Sequence, residues 1–177
     1  MQTRKLLLSV VIVLLLFAAC KKNKDSTSPA STNKFTYDSK EYPLDKAYIH
    51  NEVGTRFNVS FFSSGISVNT NGGGGLFMDG KGSGVLLTLD STIPTDLSSA
   101  TYKWPSQTTP DLEMIADAQI GITNDITTSI NGTFRSATYG TGSITVSKSN
   151  LQYTIEFSIL VDGKTASGKY IGTLQNY

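Results

Sequence analysis

Alternation of apolar and polar side chains with a period of two residues dominates the sequence from Phe35 onward. It is clearest from Tyr153 to Val161, where aromatic and β-branched residues alternate mainly with Thr, Glu and Ser. Successive side chains of a strand point to opposite faces of its sheet, so the pattern predicts a strand buried on one face. Asp162-Gly163 follows as a turn signal, because glycine tolerates a positive φ. Residues 165–174 then predict the second strand of a C-terminal hairpin.

Shorter stretches repeat this rhythm upstream. Phe57, Val59 and Phe61 alternate with polar residues, Ile144 and Val146 do the same, and clusters of Gly and Ser recur at strand-sized intervals. Such spacing is typical of β-sandwiches and β-barrels. We therefore predict a single all-β domain over residues 35–177. An antiparallel β-sandwich is the first expectation, and a closed calycin-like β-barrel is the alternative.

One segment is compatible with either a helix or a strand. Thr109-Pro110-Asp111 has the composition of a helix N-terminus, which would continue through Ala118. The residues from Met114 to Ile122 also alternate, however, and this alternation favours a strand from about residue 117.

The N-terminus has the three zones of a secretory signal. Arg4 and Lys5 are positive, residues 6–17 are apolar apart from Ser9, and small residues precede Cys20. The apolar stretch is shorter than the roughly 20 residues that span a bilayer. We therefore expect a signal peptide over residues 1–19 and no transmembrane helix in the mature chain.

The end of this signal, Phe17-Ala18-Ala19-Cys20, resembles the lipobox of bacterial lipoproteins. The resemblance implies cleavage between Ala19 and Cys20 and thioether attachment of diacylglycerol to the Cys20 sulfur. It also implies a further acyl chain, such as palmitate, on the new amino group. Two or more acyl chains hold a protein stably on a membrane, which makes the membrane the expected partner of Cys20.

Residues 20–34 comprise the acylated cysteine and a polar segment rich in Lys, Ser and Thr. A segment of this composition has too little apolar surface to form a core, and we interpret it as a flexible tether.

The whole chain has 15 basic and 14 acidic residues, and removing the signal leaves 13 and 14. A balance this close to zero argues against nucleic acid as a partner.

Three segments of the domain resemble small lipoproteins of Bacteroidota. They are residues 35–44 (FTYDSKEYPL), residues 97–102 (LSSATY) and residues 162–174, which contain Asp-Gly-Lys and Gly-Lys-Tyr-Ile-Gly-Thr-Leu. The resemblance implies a secreted β-rich domain of the cell envelope, lipid-anchored to the outer membrane on its periplasmic face or at the cell surface. It supplies no active site.

The residues needed for common catalytic sites are sparse. His50 is the only histidine, no Gly-x-Ser-x-Gly elbow occurs, and Cys20 is the only cysteine. Residues 75–81 match most of the sequence motif of a phosphate-binding loop, but Gly82 stands at the position of the Ser or Thr that would bind magnesium. We interpret residues 71–75 as a flexible hairpin loop, and we expect no cofactor.

Acidic residues offer the one other candidate for metal or hydrolytic chemistry. Asp111, Glu113, Asp117 and Asp125 carry ligands that calcium accepts, but their spacing fits no known loop, so a solvated acidic patch is the preferred interpretation. We therefore expect no metal. Two facing carboxylates would suffice for glycoside hydrolysis, and a single sequence does not show their pairing.

The segment around Tyr102 and Trp104 carries the most specific binding hypothesis. It holds the only tryptophan, at the point where a strand gives way to a polar loop. An exposed indole beside hydroxyl and amide groups suits contact with a sugar or a protein, whereas an indole that folds back would cap the core. The sequence therefore predicts a lipid-anchored, non-catalytic binding module for a glycan or a protein. A structural component of an envelope assembly and a small carboxylate-dependent hydrolase are the alternatives.

Overall fold

The computed structural model describes residues 32–69, 77–105, 113–125 and 134–177. The predicted signal peptide, Cys20 and the predicted tether up to Ser31 lie outside these residues, as do the predicted loop at 71–75 and the segment that contains Pro110. Every regular element in the described part of the chain is a β-strand, so the prediction of an all-β domain is confirmed. Its strands are β1 (Lys34–Tyr37), β2 (Lys40–Pro43), β3 (Lys46–Val53), β4 (Arg56–Phe62), β5 (Ile66–Asn69), β6 (Phe77–Asp90), β7 (Ala100–Lys103), β8 (Met114–Asp125), β9 (Phe134–Ser136), β10 (Gly142–Ser149), β11 (Gln152–Val161), β12 (Lys164–Gly172) and β13 (Gln175–Asn176).

These strands form one large mixed sheet with the order β13-β3-β4-β6-β8-β7-β10-β11-β12-β1-β2. Strands β5 and β9 add to β6 and β8, and all pairs are antiparallel except β13 with β3 and β7 with β8. The sheet curls. Five strands separate β4 from β12, yet Phe61 of β4 packs on Tyr170 of β12 with ring centroids 5.1 Å apart. A curled sheet of this kind belongs to the predicted class of sandwich and barrel-like folds.

The concave face of the sheet holds the main core. Along β11, the residues Tyr153, Ile155, Phe157, Ile159 and Val161 are all buried, whereas the side chains between them are exposed or half-buried. The same alternation buries Phe57, Val59 and Phe61 of β4 and Ile144 and Val146 of β10. Burial of one face accounts for the period of two in the sequence, and the predicted faces are therefore correct.

The predicted C-terminal hairpin is present. Strands β11 and β12 pair antiparallel from Tyr153 with Gly172 to Val161 with Lys164, and Asp162 and Gly163 form a two-residue turn between them. Both turn residues have positive φ, 49° and 74°, as a type I′ turn requires. The Asp-Gly pair therefore fixes the register of the two strands.

A glycine within this hairpin allows close packing of two aromatic rings. Gly168 of β12 lies opposite Phe157 of β11 on one side and Phe35 of β1 on the other. A Cβ atom at Gly168 would lie 2.6 Å from both the Phe157 Cζ and the Phe35 Cβ. The absence of a side chain here is a packing requirement, since such distances lie well inside van der Waals contact.

Residues 114–125 form strand β8 and not a helix. The strand begins three residues before the predicted position and buries Ile115, Ala118 and Ile120. Register shifts in its pairing with β6 interrupt the simple alternation, between Gly82 and Gly84 and between Thr88 and Leu89 of β6. Local sequence did not determine the outcome here, because the helical and extended patterns overlapped and pairing with β6 favoured the strand.

Two ends of the curled sheet can be distinguished by their turns. Strands β3, β6, β10 and β12 all run towards the first end, which carries the turn at Gly54–Thr55, the loop Ser91–Ser99 and the turn at Asn150–Leu151. We call it the Asp96 end. The opposite end carries the turns Asp38–Ser39 and Asp162–Gly163, and we call it the Asp162 end.

Candidate ligand-binding cleft

A cleft of about 360 Å³ opens at the Asp96 end of the sheet. The end of β3, the loop Ser91–Ser99, the turn between β10 and β11, and the chain that leads from β12 into β13 surround it. Its wall is apolar where Ile49, Phe57 and Leu174 face it and polar where Asp96, Lys148 and Tyr153 face it. A concave site with an apolar wall and a few converging polar groups is the usual form of a small-molecule site.

Asp96 lies in the loop Ser91–Ser99, and the buried Ser91 hydroxyl holds this loop in the conformation that brings Asp96 to the cleft. Ser91 Oγ donates to the carbonyl oxygen of Asp96 at 2.9 Å and accepts the backbone N–H groups of Ile93 at 3.1 Å and Ser98 at 3.0 Å. The side chain of Asn51 ties the loop to β3, donating to the carbonyl oxygen of Pro94 at 2.7 Å. These bonds fix a segment that has no regular secondary structure.

Three charged or polar side chains meet at the floor of the cleft. The Asp96 carboxylate accepts hydrogen bonds from the Lys148 ammonium and the Tyr153 hydroxyl, and the backbone N–H of Leu97 also donates to it at 2.8 Å. The Lys148 Nζ lies 4.7 Å from the centre of the Tyr153 ring, within the range of a cation–π contact. We call Asp96, Lys148 and Tyr153 the polar cluster.

Electrostatics keep this cluster ionised as an Asp–Lys pair. Burial raises the pKa of Asp96, but hydrogen bonds from Lys148 and Tyr153 outweigh it and hold that pKa below its ordinary value. The hydrogen bond to Asp96 raises the pKa of Lys148, and burial raises the pKa of the Tyr153 phenol. At neutral pH the cluster therefore presents a carboxylate, an ammonium and a neutral hydroxyl.

This arrangement suits binding better than catalysis. Asp96 is the one carboxylate among the described residues that line the cleft, whereas glycoside hydrolysis uses two. A carboxylate whose pKa is lowered and whose oxygens accept three hydrogen bonds is also a poor general base. What the cleft offers a ligand is an apolar wall beside a polar floor.

Two other depressions are wider and more open. One, of about 690 Å³, lies beside the bidentate ion pair of Arg56 with Asp90, whose N–O distances are 2.8 and 3.0 Å. The other, of about 610 Å³, covers the outer face of β10, β11 and β12 around the Glu156–Lys169 pair. We prefer the cleft as the candidate site because several chain segments enclose it and its polar groups are partly withdrawn from water.

The two residues singled out as ligand contacts lie in the core. Tyr102 is fully buried and shares hydrogen bonds with the hydroxyl and carbonyl groups of Ser98. Trp104 is 7% exposed, and its indole N–H donates to the carbonyl oxygen of Thr141 at 2.8 Å. Tyr139 covers the indole, with ring centroids 5.1 Å apart. This is the geometry expected of an indole that caps the core, and ligand contact at Tyr102 and Trp104 stays a prediction.

His50 has a structural environment. Its ring is half-buried, stacks on the Tyr177 ring at 5.0 Å, and places Nδ1 2.8 Å from the backbone oxygen of Tyr177. The pairing holds the C-terminal residue against β3. His50 does not line the cleft.

The acidic residues considered for calcium do not form a described site. Glu113 accepts hydrogen bonds from Thr92 and Ser98, and Asp117 accepts one from the Gln119 amide. Asp111 lies outside the described residues, as does the side chain of Asp125. Within the part of the chain that the structure describes, no group of three or more His, Cys, Asp or Glu side chains is placed to hold a metal ion.

No sequence pattern predicted the polar cluster. Asp96 and Tyr153 are 57 residues apart, Asp96 and Lys148 are 52 apart, and none of the three belongs to a recognisable motif. The clearest local signal is the Ser-rich turn sequence at 91–99. It predicts a structured loop, but it does not predict which residues that loop contacts.

Among the described ranges, no helix has the length and apolar character needed to cross a membrane. No protein-family model, no curated protein and no solved structure matches the chain.

Proposed function

We propose that the chain is a lipid-anchored protein of the bacterial cell envelope whose β-domain binds a glycan without catalysing a reaction on it. The anchor part of the proposal is supported by the signal and the lipobox-like Phe17-Ala18-Ala19-Cys20. The binding part is supported by the cleft at the Asp96 end. These two lines of support are independent of one another.

The composition of the cleft is the observation that carries glycan binding. A sugar ring has apolar C–H faces and a rim of hydroxyl groups. The half-buried Leu174 and the small exposed parts of Phe57 and Ile49 offer an apolar wall to such a face, and the polar cluster offers donors and acceptors to the hydroxyl groups. An extended apolar ligand would leave the ion pair of Asp96 and Lys148 desolvated without new partners, which costs free energy.

The alternative of an envelope assembly built by strand pairing has less support. The edge strand β2 carries Lys40 and Glu41 and ends at Pro43, which has no N–H to donate. Charged residues and proline are the features by which edge strands avoid pairing with other chains. A partner protein that adds a strand would therefore have to use an edge other than β2.

Binding of detergent-solubilised, full-length lipoprotein to a glycan array tests the proposal. The Tyr153→Phe variant removes the cleft hydroxyl and keeps the ring, and we expect it to weaken retained glycans about tenfold, equivalent to about 1.4 kcal/mol. Tyr139→Phe is the matched control, because Tyr139 lies outside the cleft. Absence of any retained glycan, or equal losses in both variants, would contradict glycan binding at this cleft.

A further inference from the structure

Three exposed aliphatic side chains lie at the Asp96 end of the sheet. Val53, at the end of β3, is 78% exposed; Leu151, in the turn between β10 and β11, is 77% exposed; and Ile93, in the loop Ser91–Ser99, is 43% exposed. They are the large aliphatic side chains that the described residues leave exposed. We call them the apolar tips.

The Asp162 end has a different surface. Its turns carry exposed ion pairs, Lys164 with Asp38 at 2.8 Å and Arg135 with Asp162 at 2.9 Å. Such pairs are well solvated and suit contact with water. The exposed Tyr139 also lies towards this end, before β10, and the exposed Phe77 begins β6 at the end of that strand away from Asp96. The two ends therefore differ in the kind of apolar group they expose, with the aliphatic tips at the Asp96 end only.

The tether joins the domain towards the same end as the apolar tips. Asn33 forms two hydrogen bonds with the backbone of Ile171, near the end of β12, at 3.0 and 2.8 Å. The next residue, Gly172, lies opposite Tyr153 of the cleft. From Asn33 back to Cys20 is 13 residues, and such a length spans at most about 45 Å when fully extended.

We infer that the Asp96 end docks on the lipid surface that anchors the chain, with Val53, Ile93 and Leu151 entering the interfacial region. This inference rests on the proposed acylation of Cys20. The anchor already keeps the domain near the bilayer, so contacts that would be too weak to recruit a free protein are sufficient to orient a tethered one. Aliphatic tips on turns reach the interface without exposing the strands of the core.

Docking by this end also restricts which class of glycan can reach the cleft. The cleft lies among the same loops as the apolar tips, so it would open towards the lipid headgroups. A glycan that reaches it would then be one carried at the membrane surface, such as the headgroup of a glycolipid.

A single introduced thiol can test this orientation. Acylation consumes the thiol of Cys20, the only cysteine, so Leu151→Cys in the full-length lipoprotein leaves one site for an environment-sensitive fluorophore. Thr165→Cys, exposed on β12 near the Asp162 end, is the matched control. Both variants are reconstituted into phosphatidylethanolamine–phosphatidylglycerol vesicles that contain a lipid-borne quencher.

We expect blue-shifted emission and at least threefold stronger quenching for the label at residue 151 than for the label at residue 165. Equal quenching at the two positions, with the mass of the protein showing acylation, would overturn the docking and leave the anchor intact. A second fluorophore on an unmodified Cys20 thiol would overturn both the anchor and the docking that depends on it.

Discussion

The hydroxyl of Tyr153 donates a hydrogen bond to the carboxylate of Asp96, which lies 57 residues earlier in the chain. This contact joins the first residues of β11 to the loop Ser91–Ser99 and closes one side of the cleft. Lys148 joins the same carboxylate from β10. Lys148 and Tyr153 are partners in the β10–β11 pairing, so the polar cluster ties this hairpin to the loop Ser91–Ser99.

Asp96→Asn should reduce stability in a pH-dependent way. The pKa of Asp96 is lowered in the folded state, so its contribution is present above its unfolded pKa of about 4 and is lost as pH falls through the lower folded value. We expect Asp96→Asn to lower the free energy of unfolding by about 1 kcal/mol at pH 6. The difference should shrink towards zero as pH falls below 4. Urea unfolding at several pH values measures this difference, and a pH-independent loss would argue against an ionised Asp96.

Gly168→Ala should destabilise the domain through its core. The added Cβ would approach Phe157 and Phe35 to 2.6 Å, and relief requires one ring or strand to shift. We expect a loss of about 1–3 kcal/mol in the free energy of unfolding, as for other overpacked cores. Ser167→Ala, at the neighbouring exposed position, is the control and should change stability by less than about 0.5 kcal/mol. Similar stability of the two variants would show that the core at Gly168 has free space.

The fluorescence of Trp104 reports whether the indole caps the core. With 7% exposure and its N–H bonded to Thr141, the only tryptophan should emit at short wavelength and resist quenching by iodide. Unfolding should shift the emission to longer wavelength and remove the protection. Strong iodide quenching of the folded protein would instead support the hypothesis that Trp104 is available to a ligand.

The elements that could be predicted from sequence are those whose signals are local. The hairpin of β11 and β12 combines a period-two pattern with an Asp-Gly turn, and the structure forms it with the expected turn and faces.

The order of the strands, the cleft and the burial of Trp104 depend on contacts between distant parts of the chain. The order of the strands places β3 beside the C-terminal β13 and β7 beside β10, and period-two patterns do not specify which strands pair. The cleft could not be predicted for the same reason: Lys148 and Tyr153 are partners in one hairpin, but Asp96 reaches them only because β7, which follows its loop, pairs with β10. For Trp104, composition could not distinguish a buried indole from an exposed one, because the deciding contacts come from Thr141 and Tyr139.

Fractionation of cells that express Cys20→Ser tests the proposed lipid anchor. Without the thiol, diacylglycerol cannot be attached, so we expect the variant to leave the membrane fraction or to keep its signal peptide. Val53→Asp is the control, because it changes an apolar tip and leaves Cys20 in place. Equal membrane association of the wild type and of a Cys20→Ser chain whose signal has been cleaved would show that another part of the mature chain holds it there.

The most direct measurement is the mass of the mature polypeptide purified from bacterial membranes. Cleavage before Cys20 and attachment of diacylglycerol to its sulfur predict a chain that begins at residue 20 and is heavier than its sequence by the acyl groups. Hydrolysis of the esters should release fatty acids. An unmodified Cys20 thiol, or a chain that begins at any other residue, would contradict the lipid anchor and the orientation of the cleft inferred from it.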